Sequence, residues 1–202
     1  MVDAALLSSA SAEWGTPPAF VAALAALWGT YHLDPCARLQ TFSKAPRFYA
    51  PAETPGCAGV DGLAQPWAGR VFCNPPWTKA CPIDAWIEKA IASECDVTVL
   101  APARTDVSWF RRLFEASSTV LFVVGRLAYE RIETPLERDA RHEAWWAERR
   151  VLEKAATAAA LRAHGKAPID SAPAPFPSVV CRIQPGELFR GVGLISSKGE
   201  LL

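Results

Sequence analysis

Hydrophobic positions along the chain fall into two alternating rhythms. Arg70-Val71-Phe72-Cys73, the run Asp96 to Ala101 with Val97-Thr98-Val99-Leu100 at its centre, and Thr119 to Val124 are short apolar stretches of the kind buried on both sides of a parallel sheet. Between them the spacing becomes helical. Phe20, Leu24, Leu27 and Trp28 recur at helical spacing over Ala19 to Trp28, with the proline pair Pro17-Pro18 at the start and Gly29 as the stop. Ile83, Trp86, Ile87 and Ile91 do the same over Ile83 to Ala92, and a further helix runs from Asp106 through Phe114. Tyr31-His32-Leu33 reads as a short strand delivering Asp34-Pro35-Cys36 at its carboxyl end. Arg47 to Ala50 is a candidate strand inside a region, Gln40 to Gln65, that Pro, Gly and Ala otherwise interrupt.

Strand and helix in alternation predict a doubly wound α/β domain with a mostly parallel sheet and helices on both faces. After Val124 the alternation stops. Residues from about Pro135 to Ala163 are helix-rich and charged, with Trp145 and Trp146 embedded; Lys166 to Pro177 reads as a Pro/Ala linker, and Ser178 to Ile183 returns to strand character. Residues 130–177 are therefore read as a helical insertion after the penultimate strand, within one domain spanning residues 1–202. The first dozen residues, small and polar, read as a loose leader.

A chain of 202 residues that is 50% hydrophobic can bury one sizeable core. Twenty-one basic and 21 acidic residues cancel, so no global field draws the protein to polyanions, and any nucleic-acid contact has to come from a local basic face. The N-terminus has no signal-like pattern and no apolar run reaches the length of a membrane span, so the expectation is a cytoplasmic protein with no membrane partner. Six cysteines at irregular spacing, without a CxxC pair, and three histidines argue against a metal site or a disulfide framework; reduced, mostly buried thiols are expected.

The candidate chemistry lies at Asn74-Pro75-Pro76-Trp77, directly after the strand that ends at Cys73. Ligands of open α/β sheets bind beyond the carboxyl ends of strands. An exocyclic amine on a base is a poor nucleophile because its lone pair is delocalised into the ring. The Asn74 side-chain oxygen and the Pro75 carbonyl can accept both amine hydrogens and expose that lone pair to a sulfonium methyl. The prolines hold the carbonyl outward without an amide hydrogen to compete, and Trp77 can stack on the planar base.

The chain resembles the amino-methyltransferases with an Asn-Pro-Pro-aromatic motif, and in particular the small phage-type DNA N6-adenine methyltransferases. Trp14-Gly15-Thr16-Pro17-Pro18 resembles the N-terminal motif beside the cofactor, and Leu33-Asp34-Pro35-Cys36-Ala37 the first-strand cofactor motif. Asp61-Gly62-Leu63 resembles the acidic motif that contacts the cofactor's adenine, and Asn74 to Trp77 the catalytic motif. Ala101 to Asp106 with Trp109-Phe110, Gly125-Arg126-Leu127 and Pro175 to Ser178 extend the similarity over most of the chain apart from the insertion. The resemblance implies a Rossmann-like fold, S-adenosyl-L-methionine as cofactor, and methyl transfer to N6 of adenine in DNA after base flipping. It also implies cofactor contacts from Trp14, Thr16, Pro17, Asp34, Pro35, Cys36, Asp61 and Leu63, and catalysis by Asn74, Pro75, Pro76 and Trp77.

The pattern is departed from in places. The first-strand motif lacks a glycine-rich loop, Trp77 stands where tyrosine is usual, and Glu53 is the available candidate for the cofactor's ribose. Arg104 and Arg126, with Arg111 and Arg112, sit near the expected site edge and can meet phosphates, with pairing to Asp106 or Glu115 as the alternative. The insertion mixes Arg138, Arg141, Arg149, Arg150 and Lys154 with as many acids, the pattern of a solvated helix face, on which the tryptophan pair is expected to pack toward the domain. Methylation of another planar amine or amide (an RNA adenine, cytosine N4 or a protein glutamine) remains open, as does a nucleic-acid-binding module that has lost catalysis.

Overall fold

A computed structural model describes residues 14–37, 43–50, 56–76, 83–131, 135–155, 171–174 and 176–202. The sequence reads in order β1 (Trp14–Gly15), α1 (Pro18–Trp28), β2 (Leu33–Asp34), β3 (Arg47–Phe48), β4 (Arg70–Cys73), α2 (Ile83–Ala92), β5 (Asp96–Pro102) and α3 (Ser108–Ala116). It continues with β6 (Thr119–Val124), β7 (Ala128–Arg131), α4 (Pro135–Ala155), β8 (Ser171–Pro173), β9 (Ser178–Ile183) and β10 (Gly191–Ser196).

Seven strands form the main sheet in the order β10-β6-β9-β5-β4-β2-β3. All neighbouring pairs are parallel except those made by β9, which runs antiparallel to both β5 and β6. Side chains alternate across a strand, so each strand feeds two cores. Val71 and Cys73 of β4, Val97 and Val99 of β5, and Val179 and Cys181 of β9 pack with Ile83, Trp86 and Ile87 of α2 and Phe110 and Leu113 of α3. On the other face Phe72, Leu100, Val180 and Leu121 pack with Phe20, Val21 and Leu24 of α1. The expectation of helices on both faces therefore holds.

Local signals set most boundaries. α1 ends where Gly29 adopts φ 93°, a left-handed conformation that costs glycine little, while its N–H still bonds the Ala25 carbonyl at 2.7 Å. The amino end of the sheet is tied by Asp96, which accepts from Arg70 Nε at 3.0 Å and from Arg182 Nη2 at 2.7 Å. Two guanidinium groups hold its carboxyl below the usual range against the opposing effect of burial.

The structure corrects the reading after Val124. Ser178–Ile183 is not the last strand, because β10 follows it and adds to the sheet edge parallel to β6. The insertion thus leaves after the third strand from the end. Its base is also not helical: β7 pairs antiparallel with both β1 and β8, making a three-stranded sheet of its own from part of the expected linker. α3 starts at Ser108 rather than Asp106, because the backbone at Val107 is extended, with φ −120° and ψ 150°, and makes that residue the cap. Among the described residues of α4, Trp146 is exposed and Trp145 half-buried, and their rings meet edge to face, 4.8 Å apart, with Arg149 over Trp145. The expected leader, residues 1–12, and the expected helical residues 156–163 lie outside the described residues.

Candidate active site

Chain direction defines the site before any side chain does. From β2 the chain moves outward to β3, and from β4 it moves the other way to β5, while β2 and β4 themselves are neighbours. The crevice above their carboxyl ends is the topological switch point of the sheet, where loops diverge and leave room for a ligand. Asp34 ends β2, and Asn74 follows Cys73 at the end of β4.

Asp34 is 4% exposed. Its Oδ1 accepts the Cys36 N–H and its Oδ2 the Lys44 N–H, each at 3.0 Å. Burial outweighs these bonds and pushes the carboxyl up to about 6. Burial also pulls the Lys44 ammonium down, with Asp34 and Glu130 opposing that pull. Lys44 was invisible to sequence reasoning, being one basic residue in a segment without periodicity. Its partner carboxylate is ten residues earlier and meets it only through the fold.

Thr16 is 1% exposed, between β1 and α1. It does not cap the helix: the cap position is Pro17, whose carbonyl accepts from Phe20 and Val21. The Thr16 hydroxyl instead accepts the Asn74 side-chain Nδ2–H at 2.9 Å. The amide nitrogen of Asn74 is thereby turned to a buried hydroxyl, and Oδ1 occupies the other branch of the planar group. Pro75 is buried and Pro76 half-buried. Among the described residues, no hydrogen bond to Asn74 Oδ1 or to the Pro75 carbonyl is formed. Trp77 and Glu53 lie outside the described residues, as does the side chain of Trp14, whose backbone pairs with Arg131.

The acidic loop comes to the same edge. Asp61 is exposed, and its Oδ1 accepts the Leu63 N–H at 2.9 Å, closing an Asx-type turn. Gly62 lies against the Pro35 carbonyl, and the Trp67 indole N–H donates to the Gly62 carbonyl at 2.8 Å. Lys89 of α2 donates to the Leu63 and Gln65 carbonyls. The first-strand tip and the acidic loop are thus one packed unit, in which Leu63 leans on the core. Cys36 and Cys73 meet across the β2–β4 crevice as thiols within hydrogen-bonding distance, their sulfurs 3.6 Å apart.

The arginines divide. Arg104 is spent on Asp106 through two bonds of 3.0 Å, Arg111 on Glu115, and Arg112 on Asp84 and Glu88. Arg126 is exposed and makes a 3.5 Å contact to the Ala174 carbonyl. Tyr129 of β7 is buried, with its hydroxyl pushed up by desolvation beside Ser178. A separate cleft of about 430 Å³ lies between α1 and the 43–46 segment, lined by Pro18, Val21, Ala25, Tyr31, Lys44 and Pro46; Asp34, Asp61 and Asn74 do not line it. Among the described residues no cluster of His, Cys, Asp and Glu is gathered as a metal would require, and no helix is long and apolar enough to cross a membrane.

No curated protein matches the chain. A family described as DNA N-6-adenine-methyltransferase (Dam) does, over residues 4–148, a span that contains Thr16, Asp34, Asp61, Asn74, Arg104 and Arg126 and reaches past Trp145-Trp146 into α4. That span is more than half of the 202 residues. The chain belongs to the DNA N-6-adenine-methyltransferase family, and its activity at the level of that family is methylation of adenine in DNA.

Proposed function

We propose that the protein transfers a methyl group from S-adenosyl-L-methionine to N6 of an adenine turned out of a DNA duplex. The observation that carries this is the placement of Asn74 at the switch point with its amide nitrogen committed to Thr16, so that the side-chain oxygen is the end left for a substrate. Asn74 Oδ1 and the Pro75 carbonyl accept the N6 hydrogens, which draws the nitrogen toward tetrahedral geometry and frees its lone pair. Trp77 stacks on the flipped base.

The residues present fit the cofactor. Asp34 is a buried carboxylate whose ionisation is resisted by its surroundings, and a cationic amino group beside it relieves that cost. Asp34 would hold the amino group of the methionine moiety, and Asp61, through the oxygen not engaged by Leu63, the adenine amino group. When bound, the cofactor supplies an electrophilic methyl group on a sulfonium. Pro17, Pro35 and Cys36 would form the walls at the two strand tips.

The test is transfer of labelled methyl to unmethylated duplex DNA, followed by nucleoside mass spectrometry. Wild type yields N6-methyladenine, and Asn74→Ala lowers kcat by about 100-fold or more, the loss expected when one group of a preorganised site is removed. Label appearing in RNA, in cytosine or in protein, with none in DNA adenine, overturns the substrate assignment.

A further inference from the structure

We infer that Thr16 is a positioning residue for methyl transfer, fixing which end of the Asn74 amide faces the base. The inference rests on the proposed role of Asn74 and assigns Thr16 away from the cofactor contact expected from its motif. A side-chain amide has two similar ends with opposite chemistry. With Oδ1 forward, Asn74 accepts an amine hydrogen; with Nδ2 forward, it places donor against donor and repels the substrate.

Two observations make Thr16 the selector. Its hydroxyl accepts the Asn74 Nδ2–H at 2.9 Å across 58 positions of sequence. It is also 1% exposed, so water cannot replace the hydroxyl if it is removed, and Nδ2 would be left facing an apolar wall. The hydroxyl is itself held firmly. Immediately before it, Gly15 pairs with Glu130 of β7, and immediately after it Pro17 and Pro18 start α1, where proline fixes φ. The helix does not compete for the hydroxyl, because its cap is Pro17 and forms no side-chain bond. A threonine followed by two prolines at a helix start would ordinarily be read as part of the cap; here it serves the neighbouring strand tip.

The experiment compares Thr16→Val, nearly the same shape without the acceptor, with Thr16→Ser, which keeps it. Steady-state methylation of duplex DNA, calorimetric titration with S-adenosylhomocysteine, and the NMR signals of the Asn74 side-chain amide, assigned by their loss in Asn74→Ala, are read on each. Thr16→Val lowers kcat by about tenfold, the scale of one lost hydrogen bond, while cofactor affinity stays within about twofold and Thr16→Ser recovers most of the rate. The Asn74 amide protons, slowed in exchange in wild type, become fast-exchanging in Thr16→Val. If Thr16→Val fails to fold, Thr16→Ala is read by the same criteria.

Weakened cofactor binding with unchanged kcat, or amide protons unaltered by the substitution, overturns the inference and returns Thr16 to the cofactor. If wild type methylates no adenine, the functional reading fails instead, and the amide signals still decide whether Thr16 holds Asn74.

Discussion

Gly62 sits so close to the first-strand tip that a Cβ added to it would be 2.1 Å from the Pro35 carbonyl oxygen and 2.9 Å from the Trp86 ring. Backbone cannot retreat as a flexible side chain can, and the Trp67 indole N–H fixes the Gly62 carbonyl from the other side. The contact locks the acidic loop to the loop after β2. Gly62→Ala is therefore expected to cost about 1–3 kcal/mol, the range of overpacking substitutions, and to weaken cofactor binding by separating Asp34 from Asp61. Thermal unfolding and titration with S-adenosylhomocysteine check both. An unchanged melting temperature would show that the two loops move apart freely.

Asp34 links pH to stability and, in the proposed role, to cofactor affinity. Its carboxyl is raised from 3.8 to about 6, so between these values the folded protein binds a proton that the unfolded chain has released. The contribution is fully present below 3.8 and is lost as pH rises through about 6. The gap corresponds to a cost of about 3 kcal/mol for the buried anion. Asp96 has the opposite sign: its lowered carboxyl stabilises above the ordinary range and loses this as pH falls. Urea unfolding from pH 4.5 to 7.5 should show stability falling with pH in the wild type and a flatter profile in Asp34→Asn. Affinity for the cofactor's cationic amino group runs the other way, rising across the same window as Asp34 ionises.

At the opposite end of the sheet, Asp96 bridges Arg70 and Arg182, and Arg182 also lies over the Trp28 ring. Removing the acid leaves two partly buried cations facing each other, whereas removing Arg182 leaves Asp96 with Arg70. Asp96→Ala is expected to cost about 3 kcal/mol and Arg182→Met less than half of that. Because Arg70 and Asp96 start β4 and β5, and Arg182 lies near the carboxyl end of the antiparallel β9, all at the end of the sheet away from Asn74, kcat at a temperature where both variants are folded should match wild type. A fall in kcat without a fall in melting temperature would contradict that separation.

What was legible in the sequence is what depends on near neighbours. Ile83, Trp86 and Ile87 define α2 to its end residues, and prolines after Cys73 stop β4 where a catalytic loop is expected. β10 was missed because it is an edge strand: Gly191 and Gly193 alternate with the exposed Val192 and Leu194, leaving no apolar run to detect. The β1–β7–β8 sheet was missed for another reason. Its strands are two to four residues long, too short for periodicity, and are specified by pairing between distant segments. The site shows the same division. Motif order alone makes Asp34, Asp61 and Asn74 candidates, while the bond joining Thr16 to Asn74 and the approach of Lys44 to Asp34 are visible only in the fold.

Arg104 and Arg126 carried the same expectation of phosphate contact, and the structure separates them. Both ends of the Arg104 fork are bound by Asp106 at 3.0 Å, so meeting a phosphate requires breaking a bidentate pair, while the exposed Arg126 has a weak carbonyl contact to give up. Arg126 also lies in the turn between β6 and β7, from which the chain rises toward α4. Arg126→Ala is expected to weaken binding of duplex DNA uniformly across sequences and to reduce the salt dependence by about one phosphate contact. Arg104→Ala should change affinity little, and Asp106→Ala should tighten it by releasing the guanidinium. Fluorescence anisotropy of a labelled duplex over a range of salt concentrations measures all three. If Arg104→Ala costs as much as Arg126→Ala, the Asp106 pair opens on binding, and its strength in the free protein does not decide which arginine faces DNA.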